Sequence, residues 1–145
     1  MTMTIAQRTA LVGALVLWAA LAAAAPGVTV TDAWIRSLPG GLPAGGYFTL
    51  HNPTGKTLTL QSASSPACGM LMLHKSETMS GMASMDSIAS IAVKPGATLQ
   101  FSPGGYHLMC MEPKLKLGDK ISVTLHFADG TKVQSDFAVR GANGR

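Results

Sequence analysis

The residues best suited to chemistry lie in one window, from Met70 to Met111. Of the nine methionines in the chain, seven fall here: Met70, Met72, Met79, Met82, Met85, Met109 and Met111. His74 and His107, two of the four histidines, share the window. Core packing does not account for this, because Leu, Ile and Val fill cores with better-defined rotamers. Thioether sulfur with imidazole suits a soft ion such as Cu(I) or Ag(I) and suits hard cations badly. Every one of these ligands is neutral, so a bound univalent ion keeps its single charge. Thioethers also survive an oxidising compartment without forming disulfides, although they can be oxidised to sulfoxide.

Spacing adds geometry. Alternate residues of a strand face the same side. His107 and Met109 therefore point the same way and can hold one ion together, while Leu108 and Cys110 face inward. By the same rule His74 shares a face with Met72 and Met70. With the two strands side by side, His74 joins His107 and Met109. The segment 76–85 then supplies Met79, Met82 or Met85 as a fourth ligand. His51 and His126 have no methionine neighbours and read as exposed or structural residues.

The elements that must position these groups are short strands between Gly/Pro turns. Alternation predicts strands near 28–36, 47–52, 57–63, 70–75, 83–88, 98–101, 106–111, 121–127 and 132–139. Segment 37–46 reads as a loop, 76–82 as a loop or hairpin, and Asp129-Gly130 as a hairpin turn. Trp34 is expected in the core. No helical pattern appears in 26–140. The expectation is one all-β domain of eight or nine short strands, an antiparallel β-sandwich or small barrel.

Residues 1–25 are different. Arg8 precedes a charge-free apolar run that closes in small residues, with Pro26-Gly27 after it. This is the pattern of a signal peptide cleaved near Ala25. It leaves a domain over 26–140 and a tail, 141–145, expected to be disordered. Loss of Arg8 lowers the formal charge of +4 by one, to +3. The remaining basic residues are scattered, without interleaved aromatics, which gives nucleic-acid binding no support. In an oxidising compartment Cys68 and Cys110 favour one disulfide, with thiol ligation of metal as the competing reading. No nucleophile triad, zinc-type spacing or phosphate loop appears, so an enzyme is not expected. A blue-copper carrier needs a Cys thiolate with two His, and no histidine follows Cys110 until His126.

The window resembles the PCuAC family, periplasmic copper chaperones that serve the CuA centre of cytochrome c oxidase. That family's signature is His, ten residues, Met, twenty-one residues, His-x-Met. Here ten residues separate His74 from Met85, and twenty-one separate Met85 from His107-Leu108-Met109. The flanks are similar too: Asp32-Ala33-Trp34-Ile35-Arg36, Ala44-Gly45-Gly46-Tyr47-Phe48-Thr49-Leu50, and Pro103-Gly104-Gly105-Tyr106-His107. The resemblance implies a cupredoxin-like Greek-key β-sandwich that binds Cu(I) through His74, Met85, His107 and Met109. It selects Met85 among the three candidates and leaves Met79, Met82 and Met111 as accessory residues. One Cu(I) per chain is expected, because 141–145 (GANGR) lacks the His/Met-rich tail of some members. The implied partner of the monomer is the CuA-bearing oxidase subunit or a thiol-based copper assembly factor in the periplasm. Copper sequestration at the same site is the alternative.

Overall fold

The computed structural model describes residues 27–145. The expected leader lies outside the described residues. Ten strands form, one or two more than expected: β1 (Thr29–Arg36), β2 (Ala44–His51), β3 (Leu58–Ser64), β4 (Met70–Met79), β5 (Met82–Ser87), β6 (Ile91–Val93), β7 (Thr98–Phe101), β8 (Tyr106–Met111), β9 (Lys120–Phe127) and β10 (Lys132–Arg140). A single 3-10 turn, Pro39–Gly41, joins β1 to β2. No helix of the described residues is long and apolar enough to cross a membrane.

The strands make one connected sheet in the order β5-β4-β8-β7-β2-β1-β10-β9-β3-β6, with β8 also pairing β2. The sheet curls over its own apolar face, so that β3 and β4, far apart in that order, come into contact. The result is a sandwich around one core. Most pairings are antiparallel as expected. The exceptions are β1 with β10 and the short contact of β7 with β8, which are parallel.

Alternation builds the core. Leu58 and Leu60, Leu71 and Leu73, Val123, Leu125 and Phe127, and Phe137 and Val139 are buried at alternate positions along their strands. Phe48 and Phe101, cross-strand partners, stack with ring centroids 4.2 Å apart. Full burial of such a side chain contributes about 1.5–3 kcal/mol.

One alternative is decided and two expectations need correction, and all three bear on the site. Segment 76–82 is a hairpin rather than a loop. β4 runs on to Met79, and a two-residue turn, Ser80-Gly81, leads into β5. Both turn residues have positive φ (52° and 78°), as a type I′ hairpin requires. Second, the glycine-rich end of 37–46 is not loop either, because Ala44 and Gly45 already pair with Cys110 and Met109. Third, Trp34 is not in the core. A bulge between Thr31 and Trp34, with Asp32 at φ 52°, inserts an extra residue and flips the alternation. Ile35 takes the inner position, 1% exposed, and Trp34 turns to the outer face.

Residues 141–145, expected to be disordered, close into a turn. Gly141 N donates to Arg145 O at 2.7 Å, and Gly144 lies against the Trp34 ring.

Candidate metal centre

Strands β5, β4 and β8 lie side by side and carry the window. Their register pairs Met70 with Met111, Met72 with Met109, and His74 with His107. On the other flank His74 pairs with Ser87 and Ser76 with Met85. Paired residues, and residues two apart, share a face. Met70, Met72, His74, Met85, His107, Met109 and Met111 therefore project from one face. Leu71, Leu73, Leu108 and Cys110 are buried beneath it.

The same register separates the three candidates for the fourth position. Met79 and Met82 pair with each other beside the hairpin turn. Their parity puts them on the opposite face, where they are 70% and 75% exposed. Met85 alone of the three stands on the face of His107. It lines, with His107, Met109, Tyr47 and Arg36, a cavity of about 310 Å³. His74 adjoins this group through the ring of His107, edge to face at 5.7 Å.

His107 is oriented in a way that exposes its chemistry. Its ring is only 4% exposed. Nδ1 lies 3.0 Å from Gly105 O. A carbonyl can only accept, so Nδ1 donates and Nε2 of the neutral ring holds a lone pair. That Nε2 is buried without a hydrogen-bond partner among the described residues. Leaving a buried polar atom unsatisfied costs about 1–3 kcal/mol, which a bound ion would recover. Fixing the tautomer through the other nitrogen is how metal-binding histidines are oriented. Gly105 O also accepts from Ser76 N at 3.0 Å, tying β4 to the start of β8. Thus one carbonyl sets both the ring and the strand pairing.

His74 Nδ1 is likewise buried and unpartnered. Burial, and then the field of His107, hold the His74 pKa below the ordinary imidazole value of 6.5. The neutral, ligating form is thus favoured in the folded chain. The unfolded chain binds the extra proton first, so this contribution to stability is full above about pH 6.5. It is lost as pH falls through the lower folded-state value. Thermal unfolding of the metal-free protein should accordingly show Tm falling between pH 7 and 5, with a smaller fall in His74→Gln.

Sequence reasoning missed Tyr47 and Arg36. Tyr47 is 7% exposed and packs between Trp34, at 4.7 Å between centroids, and His107, at 6.5 Å. The Arg36 guanidinium lies over both Trp34 and Tyr47, at 5.5 and 5.4 Å. The only signal for this group is the bulge that turns Trp34 outward, and alternation hides it. A fixed cation in the cavity wall repels a divalent ion more than a univalent one, since Coulomb repulsion scales with charge.

Gly45 makes room for this arrangement, because a Cβ there would sit 2.5 Å from Tyr47 Oη and 2.9 Å from Cζ. Gly45→Ala should displace the tyrosine from the cavity wall. The expected loss is about 1–3 kcal/mol in urea unfolding, the usual effect of overpacking.

Comparison with known proteins fits this geometry. A family model described as "Putative lipoprotein LpqE-like" matches residues 28–139. The chain belongs to the LpqE-like family. The chain is 37% identical over 110 residues to "Putative lipoprotein Lxx21020" of Leifsonia xyli subsp. xyli. It is 30% identical over 89 residues to "Uncharacterized protein RP573" of Rickettsia prowazekii. The matched stretches cover 74% and 59% of this LpqE-like chain, and 66% and 49% of those relatives. Among solved structures, CuI-DR1885 of Deinococcus radiodurans aligns with a TM-score of 0.64 and 29% identity, covering 83% of each chain. The copper-bound PCuAC domain from PmoF2 aligns with a TM-score of 0.66 at 20% identity, covering 82% of this chain and 97% of that one. The fold is the cupredoxin-like sandwich of PCuAC domains, and the expected resemblance to the PCuAC family holds.

Proposed function

We propose that the domain is a Cu(I) chaperone, not an enzyme, and binds one Cu(I) through His74, Met85, His107 and Met109. The observation that carries this is the buried, unpartnered Nε2 of His107, set among soft donors on one sheet face. Copper is here the cargo. The donors differ in access: Met85 is 52% exposed and His107 4%. A partner's ligand can replace Met85 first while His107 still holds the ion, and the remaining donors then leave one by one. Such stepwise exchange keeps the ion coordinated throughout.

The proposed recipient is the CuA-bearing subunit of cytochrome c oxidase or a thiol-based assembly factor. The working compartment is outside the cytoplasm, in the periplasm. The N-terminal leader pattern supports export, as does the lipoprotein naming of the relatives. Transfer is the deciding test. Cu(I)-loaded protein mixed anaerobically with an apo CuA domain should lose its metal to that domain. Retention of copper against this acceptor would favour sequestration, and failure to bind Cu(I) against a chromophoric chelator would reject both.

A further inference from the structure

The ligand face continues past the proposed centre. Along β4 and β8 the paired residues run His74/His107, then Met72/Met109, then Met70/Met111. Successive same-face pairs are about 7 Å apart along a strand. Met70, Met72 and Met111, with Gly69 and Glu112, line a second cavity of about 340 Å³. None of these methionines belongs to the buried core, and Met70 is 57% exposed. Core packing therefore does not explain why three methionines line this cavity.

Glu112 closes the group. Its backbone is left-handed, at φ 49°, a conformation uncommon for a residue with a side chain. Its carboxylate lies against Gly69, where a Cβ would come within 2.5 Å of Oε2. Gly69 N donates to Met111 O at 2.9 Å, which holds the two strand ends together. Glu112 forms no salt bridge among the described residues.

We propose that Met70, Met72 and Met111, with the Glu112 carboxylate, form a second site for a soft univalent cation, Cu(I) or Ag(I), on the same sheet face. Thioethers supply the soft ligation, and the carboxylate supplies the negative charge that the first centre lacks. The second site lacks imidazole and is more open, so it fills after the first. It stands on its own residues and does not depend on the chaperone reading.

Ag(I) is the probe, because it does not cycle between oxidation states under these conditions. The readout is the NMR signals of methionines carrying ¹³C-labelled methyl groups. The Met85 and Met109 methyls should shift with the first equivalent, and those of Met70 and Met111 with the second. Met70→Leu/Met111→Leu conserves volume and should abolish the second step while leaving the first unchanged. His107→Ala should weaken the first step and keep the second. Met79 and Met82, exposed on the opposite face, are the internal control. The proposal falls if their methyls respond at the same dose as Met70 and Met111. It falls equally if Met70 and Met111 never shift, or if the second step survives the double substitution. Loss of the first step alone would count against the chaperone site and leave this one standing.

Discussion

His107→Ala should lower Cu(I) affinity by more than about 100-fold, as read by anaerobic competition against a chromophoric chelator. Loss of an outer hydrogen bond to a ligand typically costs 10–100-fold, and this substitution removes the ligand itself. It removes the one donor that is both buried and held in its ligating tautomer by Gly105 O. Met109→Leu is the companion variant. Leu conserves volume, so stability should change by less than about 1.5 kcal/mol, while a soft donor is lost. Met79→Leu, on the other face, should bind Cu(I) as the parent does. Equal affinity in the parent, His107→Ala and Met109→Leu would mean that the methionine window is packing and that the proposed centre does not exist.

The second large effect concerns stability. Cys68 and Cys110 form a disulfide across 42 residues of sequence, with Cα atoms 5.4 Å apart. In the chain-entropy account, closing a loop of that size stabilises by about 4 kcal/mol. The bond joins the turn before β4 to the inner face of β8, the two strands that carry both histidines. Cys68→Ser/Cys110→Ala should lower the urea midpoint by the equivalent of about 4 kcal/mol. Copper binding should be lost only where the double variant unfolds, because strand pairing and ligand placement are one structure. Cys110 is 0% exposed and faces away from His107 and Met109, so its sulfur takes no part on the ligand face. Full Cu(I) affinity in the double variant, at a temperature where it remains folded, is the expected sign that the thiols are not ligands.

Much of this was legible in the chain. Ligand types, their spacing and the two-residue period placed His107 with Met109 and buried Leu108 and Cys110, and both burials are found. His51 and His126, read as exposed or structural, hydrogen-bond Thr98 Oγ1 and Ser64 Oγ in exposed surroundings. Trp34 was misjudged because alternation was carried through a bulge it could not reveal. The strand at 76–79 shows no apolar period because there β4 pairs only with the edge strand β5, every residue of which is exposed.

The division follows from the range of each interaction. Side-chain parity within a strand is local, set by backbone stereochemistry, so the sequence by itself determined an all-β chain with soft donors grouped on particular strand faces. Parity across strands depends on register, which is set by contacts between residues far apart in sequence. Only the tertiary structure decided that His74 stands opposite His107, that Met85 and not Met79 or Met82 shares their face, and that Trp34, Tyr47 and Arg36 wall the cavity. It also decided the cysteines, whose spacing alone allows either a disulfide or two thiol ligands until folding brings their Cα atoms within bonding range.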